Sequence, residues 1–199
     1  MNRQGRYGMR YGDDLTLRDA RQQYFERSAF GDGGYTSRWV KLRIGPIPLY
    51  FPNTKARVRA VKLHDLHHVL TEYDTTWSGE AQIGAWEVAS GCGGHYAAWF
   101  LNLNAFALGL VIAPGASYRA FMRGRSTSNL YTGQFDENLL AKIVGTTRRE
   151  LRLDRPVGLR SVADQAAFTV WAVTAVLCLV APFACVAAVL VLGALWLRG

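Results

Sequence analysis

The sequence is poor in several features that define whole classes of protein. It has only three cysteines, Cys92, Cys178 and Cys185, and their wide spacing argues against a disulfide framework and for a reducing compartment. Residues 1–14 are polar and glycine-rich without an apolar run, so we expect no secretory signal there and a disordered segment. No Gly-rich, zinc-finger or RNP-like motif accompanies the basic residues, so we expect no nucleic-acid partner.

Charged side chains are absent from residues 166–197. About 20 consecutive apolar residues suffice to span a bilayer, so this longer run predicts a transmembrane segment. Pro182 lies at its centre, which leaves two arrangements. We favour a single long, kinked helix over a hairpin that bends at the proline, because each half of a hairpin would be short for a full span.

Positive charge lies on one side of this run. All lysines and arginines except Arg198 lie in residues 1–165, which makes that part of the chain basic. Five arginines closely precede the run: Arg148, Arg149, Arg152, Arg155 and Arg160. The positive-inside rule then predicts a membrane-anchored protein whose soluble domain faces the cytoplasm, with these arginines near anionic headgroups.

The rest of the chain has the length of one domain. We divide it into a helical metal-binding domain over residues 15–155 and a basic juxtamembrane linker over residues 156–165. Apolar periodicity and capping residues predict helices over residues 15–30, 54–73, 78–90, 95–113 and 136–153. The predicted fold class is therefore all-α, a compact helical domain with a transmembrane tail.

Two segments of the domain are less regular. Alternation over residues 40–44 predicts a short edge strand or extended arm; the alternative is an irregular loop that packs Trp39 and Phe51 onto the core. The glycine-rich segment around Cys92 contains only two residues that could bind a second metal ion, Cys92 and His95. We therefore interpret this segment as a helix–helix turn.

The apolar segment 97–113 raises a second membrane question. Asn102 and Asn104 lie in its middle, and an amide in hydrocarbon is costly, so we favour a buried central helix. Pro114 and Gly115 are expected to end that helix. Three arginines follow in a segment that we expect to be a basic loop, namely Arg119, Arg123 and Arg125. They could steer a carboxylate or form a solvated surface.

Histidines are concentrated in one place. Three of the four lie within five residues, His64, His67 and His68, beside Asp65. Helical residues four apart project from one face, so His64 and His68 form a pair that commonly holds a divalent metal. His67 points away from this face and is expected to be a satisfied partner or a surface residue.

Carboxylates extend the histidine pair. Glu72 continues the stripe of His64 and His68, and Glu80 lies near the start of the next helix, where a turn could return it to the same face. Asp65 could share the site or support a ligand from outside it. Two imidazoles with one or two carboxylates suit zinc, with iron or manganese as alternatives. The simpler interpretation is that these groups only hydrogen-bond across a helix pair.

Three classes of metalloenzyme fit the pattern less well. Zinc peptidases use H-E-x-x-H with the glutamate as base, and Asp65 is one methylene too short for that role. Phosphohydrolases of the His-Asp type need a further histidine upstream, and none precedes His64. Di-iron bundles use repeated Glu-x-x-His motifs, which this chain lacks. Glu87, seven residues after Glu80, either extends the polar pocket or lies at the surface.

A longer pattern contains these residues. The string Phe-Pro-Asn-Thr at residues 51–54, followed by H-D-x-x-H-x11-E over residues 64–80, resembles the signature of the coenzyme Q (ubiquinone) biosynthesis protein four family. The resemblance implies an all-helical domain, a zinc or similar divalent ion, and peripheral membrane association. The metal ligands that it implies are His64, Asp65, His68 and Glu80.

The resemblance also implies a function. The partner would be a polyprenylated lipid intermediate of quinone biosynthesis, with other proteins of that pathway. The reaction would remove a ring carboxylate with hydroxylation at the same carbon; a non-catalytic lipid carrier or scaffold with a structural metal remains the alternative. The family commonly has Gly where this chain has Glu72, which is a candidate fifth ligand, base or solvated helix end. The apolar tail is a second departure from the family core.

Overall fold

The computed structural model describes residues 10–28, 33–44, 47–156 and 161–197. Within these ranges the chain forms eight helices and one β-hairpin, which confirms the all-α prediction. The elements in chain order are α1 Leu17–Ser28, β1 Trp39–Ile44, β2 Ile47–Pro52, α2 Lys55–Thr71, α3 Trp77–Ser90, α4 Tyr96–Ile112, α5 Pro114–Ser126, α6 Glu137–Leu140, α7 Val144–Glu150 and α8 Val162–Trp196.

The helices of the site begin at side-chain caps. Thr54 caps α2 by accepting a hydrogen bond from the Arg57 N–H, and Thr76 caps α3 by accepting one from the Gly79 N–H. Each threonine satisfies a backbone donor that has no partner within the helix. Helix α1 begins in the same way, since Thr16 Oγ1 accepts a hydrogen bond from the Asp19 N–H.

Helix α3 lies between α4 and α5. Two glycines allow this close packing. A Cβ on Gly84 would lie 2.9 Å from the Ala105 Cβ of α4, and a Cβ on Gly124 of α5 would lie 2.5 Å from the Trp86 carbonyl oxygen of α3. Trp86 is fully buried at the centre of this arrangement, and the resulting core fixes the face of α3 that meets α2.

The strand predicted over residues 40–44 is confirmed, with a second strand beside it. Strands β1 and β2 pair antiparallel, with Trp39 opposite Pro52 and Ile44 opposite Ile47. The turn between them lies outside the described residues. Trp39 is exposed, so the alternative in which it packs onto the core is wrong.

Two expectations about the middle of the chain are wrong. The arginines after Pro114 lie on helix α5 and not in a loop, because proline is tolerated at the first position of a helix. The helix expected over residues 136–153 is interrupted and forms α6 and α7. The interruption follows from backbone pairing with the start of the chain, since the Leu17 N–H donates to Lys142 and the Val144 N–H donates to Leu15.

The domain begins before residue 15. Tyr11 is buried, and the Arg27 guanidinium lies 5.1 Å from its ring centroid. The Gly145 N–H donates to the Asp13 carbonyl. The expectation of disorder is therefore wrong for residues 10–14, and residues 1–9 lie outside the described part of the chain.

Helix α8 is continuous through Pro182, which agrees with the single helix and not with the hairpin. It begins at Val162 with a capping box between Ser161 and Asp164, so the last residues of the expected linker belong to the helix. Within the described residues, Val162–Leu190 is the one stretch long and apolar enough to cross a membrane, by its length and composition.

Candidate metal centre

Three of the residues singled out in the sequence meet between α2 and α3. The Nε2 atoms of His64 and His68 lie 3.1 Å apart, and the Glu80 carboxylate lies 3.5 Å from His64 Nε2 and 3.3 Å from His68 Nε2. Ligands 2.0–2.1 Å from a tetrahedral zinc ion are about 3.4 Å apart. The ligand atoms of these three side chains all lie within 4.8 Å of one another. The side chains therefore have the chemistry and spacing of a divalent metal site.

The other ring nitrogen of each histidine is held by an acceptor. His64 Nδ1 donates to the Glu87 carboxylate over 2.9 Å, and His68 Nδ1 donates to the Tyr73 carbonyl over 2.9 Å. Acceptors of this kind fix the tautomer and ring orientation of metal-binding histidines. Both imidazoles thus direct Nε2 toward Glu80. The Tyr24 ring, stacked 5.4 Å from His68, holds that imidazole from the side.

Glu87 is a fully buried carboxylate at the centre of a polar cluster. Besides His64 it accepts hydrogen bonds from His67 Nδ1 at 2.5 Å, from the Tyr131 hydroxyl at 2.8 Å and from Asn102. The tautomer of His67 is fixed independently, because its Nε2 accepts from the Leu130 N–H. Each carboxylate oxygen therefore has two donors, which compensates for the burial of the charge.

The charges of the cluster follow from these contacts. Burial alone would lower the pKa of His64, but Glu87 and Glu80 outweigh it and hold that pKa well above the usual value. Burial would raise the pKa of Glu80 and of Glu87, but hydrogen bonds and charge interactions with the histidines outweigh it and hold both pKa values well below the usual one. Without metal, His64 then carries a second proton on Nε2, where a metal ion would bind.

Asp65 stands apart from this group. Its carboxylate accepts a hydrogen bond from the Tyr35 hydroxyl over 2.6 Å, and burial raises its pKa. The group whose ligand atoms lie within 4.8 Å of one another contains His64, His68 and Glu80. Of the four predicted ligands the structure thus brings three together, with Asp65 on the neighbouring face of α2.

Glu72 lies at the end of α2, where it has a structural role. Its φ angle of 64° is left-handed, and its N–H closes the helix on the His68 carbonyl. Its carboxylate lies 3.0 Å from the Arg148 guanidinium and 3.7 Å from that of Arg10. Glycine adopts this conformation without strain, so the backbone at position 72 would favour glycine over glutamate. The structure does not bring Glu72 to His64, His68 and Glu80.

Two arginines that the sequence assigned to surfaces instead hold the end of α2. Arg148 donates to the carbonyls of Val69 and Leu70, and Arg123 donates to that of Thr71. These are carbonyls of the last helical turn, which have no partner within the helix. Arg123 therefore does not lie free to steer a substrate carboxylate, and Arg148 does not lie free to bind headgroups.

One side of the centre is open. His68 is buried, whereas about a third of the Glu80 side chain and 18% of the His64 side chain remain accessible. Three protein ligands with one accessible side are typical of catalytic zinc sites, in which water or substrate takes the fourth position.

Sequence reasoning missed most of the residues that support the centre. It left Glu87 undecided and did not identify Tyr24, Asn102 or Tyr131 as partners of the site. The seven-residue interval between Glu80 and Glu87 was the one available signal. The glycine-rich turn is confirmed as a connection, and the buried Cys92 thiol donates to the Glu87 carbonyl.

Comparison of the chain with protein-family models, with curated proteins and with solved structures gives no match. The resemblance to the ubiquinone-biosynthesis family therefore depends on the motif residues alone and stays a prediction.

Proposed function

We propose that this chain is a membrane-anchored metalloprotein that processes a polyprenylated aromatic intermediate of quinone biosynthesis, with oxidative decarboxylation of the ring as its reaction. In that reaction the bond between the ring and its carboxyl carbon breaks, carbon dioxide leaves, and a hydroxyl group from water takes its place. Dioxygen accepts the two electrons and two protons that are released. The observation that carries the proposal is the arrangement of His64, His68 and Glu80, whose ligand atoms lie within 4.8 Å of one another. The spacing H-D-x-x-H-x11-E supports the assignment to this pathway. A long apolar helix after the domain supports a lipid substrate.

A bound divalent ion would supply Lewis-acid chemistry at this centre, and zinc suits the donor set best. His64, His68 and Glu80 would hold it. Glu87 and the Tyr73 carbonyl keep the two Nε2 atoms directed at the ion. The accessible side at Glu80 would admit the ring carboxylate. Asp65, whose pKa is raised by burial, would place a carboxyl group for proton exchange on the neighbouring face of α2.

The membrane assignment is part of the same proposal. Arg149, Arg152 and Arg155 precede α8, and one arginine follows it at position 198. This distribution supports a domain on the cytoplasmic side. A substrate with a polyprenyl tail would remain in the bilayer while its ring reached the metal centre.

A carrier or scaffold with a structural metal is the second candidate. Asp65 supports it, because a fourth protein ligand would close the site as structural zinc sites are closed. Asp65 is adjacent to His64 in sequence and close enough to interact with both histidines. In the structure it is instead hydrogen-bonded to Tyr35.

The test uses the full chain purified in detergent. Metal content is measured for the intact protein and for His64→Ala, His68→Ala and Glu80→Ala, and co-purifying lipids are identified by mass spectrometry. We expect about one metal ion per intact chain and loss of metal in each variant. Loss of the ring carboxylate from a polyprenylated hydroxybenzoate, dependent on metal, supports the enzyme. Bound lipid without turnover supports the carrier, and an intact chain without metal overturns both.

A further inference from the structure

The first half of α8 is packed against the domain. Phe168 meets the rings of Tyr118 and Phe121 at centroid distances of 4.8 and 5.3 Å. Trp171 stacks on Trp99 of α4, with centroids 5.1 Å apart. Such aromatic contacts at several positions make this half of the helix part of the domain core.

The second half of α8 is free of the domain. Leu179 is the last residue of the helix that packs against the core, within the described part of the chain, and every residue from 180 to 190 is exposed. The free portion runs to Trp196, a length of about 26 Å at 1.5 Å per residue. The hydrocarbon core of a bilayer is about 30 Å thick, so the free portion alone is short for a span.

The outer face of the packed half is apolar as well. Val170, Val173 and Leu177 are all more than half exposed, and the helix carries no charge between Asp164 and its end. A shallow groove between α4 and α8 is lined only by aliphatic residues: Leu110, Ala172, Val173, Val176 and Leu177.

Helix α4 continues this surface. It contains no charged residue, and one of its sides is exposed although the sequence suggested a buried central helix. The exposed apolar residues are Tyr96, Phe100, Leu108, Val111 and Ile112, with Val111 81% exposed. Asn104 is the polar residue on this side, and its side-chain amide donates to the Phe100 carbonyl over 2.7 Å and to Cys178 Sγ over 3.8 Å, which lowers the cost of placing it in hydrocarbon. An apolar surface of this size marks an interaction site on a protein.

Charged groups lie at the start of α8 and on α5. Arg125 of α5 pairs with Asp164 over 3.0 Å at the start of α8, and Arg119 of α5 is exposed nearby in sequence. Charged groups of this kind suit the headgroup level, and the stacked Trp99 and Trp171 suit the boundary between headgroups and acyl chains.

We propose that the domain is partly embedded in the bilayer. The exposed face of α4 then contacts the acyl chains of the leaflet that α8 enters. The occupant of this face is phospholipid. If the hydrocarbon core of the bilayer begins at about Val173, the rest of α8 to Trp196 is an apolar helix about 36 Å long. This length is enough for a tilted span. The inference rests on the proposed membrane anchor and adds that α4 is embedded with it.

The embedding of α4 would bring the membrane close to the metal centre. Gly109 of α4 packs directly on α3, where a Cβ at Gly109 would lie 2.7 Å from the Ala81 Cβ. Ala81 follows the ligand Glu80. The centre is therefore one helix away from the embedded face.

The test places nitroxide labels on the full chain in vesicles of phosphatidylcholine and phosphatidylglycerol. In a background of Cys178→Ala and Cys185→Ala, single cysteines are introduced as Val111→Cys on α4, Leu190→Cys on α8 and Gln22→Cys on α1. Relaxation by oxygen and by a water-soluble nickel chelate reports depth. We expect the label at 111 to shift toward oxygen accessibility and nickel protection, like the label at 190. The exposed position 22 should show the reverse.

The controls separate the failure of this inference from that of the anchor. A label at 111 that is as accessible to nickel as the label at 22, with the label at 190 protected, overturns the embedding of α4 and leaves the anchor standing. Nickel accessibility at both 111 and 190 overturns both. The background protein without added cysteine reports any labelling of the buried Cys92. Circular dichroism checks that each variant is folded.

Discussion

Glu87 is the residue on which the geometry of the centre most depends. Its two oxygens accept four hydrogen bonds, from His64, His67, Asn102 and Tyr131. A glutamine has one acceptor oxygen and a donor group, so at least two of these buried donors would lose their acceptor. The orientation of His64 would be lost with them.

We therefore expect Glu87→Gln to bind metal about 10- to 100-fold more weakly, the usual effect of losing a partner of a metal-binding histidine. We also expect a loss of about 2–4 kcal/mol in the free energy of unfolding. Competition with a chromophoric chelator and urea unfolding measure the two effects. Glu150→Gln, which removes an exposed pair with Lys142, is the matched control and should change both little. Unchanged metal affinity in Glu87→Gln would contradict the assigned role.

Metal binding should release a proton from His64. Because the pKa of His64 is raised above its usual 6.5 by Glu87 and Glu80, metal-free protein at neutral pH holds a proton that the metal-bound form lacks. Metal affinity should then increase with pH up to the raised pKa and level off above it. Calorimetry in buffers of different ionisation enthalpy counts the protons released. Glu87→Gln removes the main cause of the raised pKa and should release fewer, whereas no release from the intact chain would rule out a protonated His64.

At the scale of elements, the end of α2 positions the site through its backbone. Arg148 and Arg123 satisfy the last carbonyls of α2, and Glu72 closes the helix in a left-handed conformation. Tyr73 follows at once and supplies the acceptor for His68. A helix end of this kind fixes the imidazole ring of His68, which lies one turn earlier.

A pair of variants at Glu72 separates its backbone conformation from its charge. Glu72→Gly and Glu72→Ala both remove the carboxylate, but only glycine adopts a φ of 64° without strain. We expect the glycine variant to be more stable than the alanine variant by about 1 kcal/mol in chemical unfolding. Both should retain metal and activity, because Glu72 pairs with Arg148 and not with the centre. Loss of metal in both would make Glu72 a ligand.

Sequence patterns predicted elements well where the signal is local. The caps at Thr16 and Thr54 follow from short-range hydrogen bonding, and the helices that they begin were predicted. The loop predicted around Arg119 was wrong, because Pro114 both ends one helix and can begin the next. The break between α6 and α7 depends on pairing with residues 15–17, which no local pattern could reveal.

For the whole molecule, the two halves of α8 differ in their contacts with the domain. Its first half contributes Phe168, Trp171 and the fully buried Ala175 to the core. In its second half, every residue from 180 to 190 is exposed. Removing the two halves should therefore have different consequences.

Two truncations test this division. A chain that ends after Leu179 should remain folded and bind metal, but should sediment with phospholipid vesicles much less than the full chain, since only the apolar faces of α4 and of the first half of α8 remain to contact lipid. A chain that ends after Ser161 should lose several kcal/mol of unfolding free energy, since each large buried apolar side chain contributes about 2 kcal/mol. Thermal unfolding and vesicle sedimentation measure both outcomes. Equal stability of the two truncations would show that α8 is only a tether.

The sequence by itself determined the helical class, the apolar tail and the histidine pair, because each depends on spacing along a single helix. It also placed Glu80 with that pair, through the length of the connection between two helices. Only the tertiary structure decided that Glu87 holds His64, that Asp65 and Glu72 have other partners, and that half of α8 belongs to the core. Those contacts join residues from distant parts of the chain, and their partners depend on how α2, α3, α4 and α8 pack together.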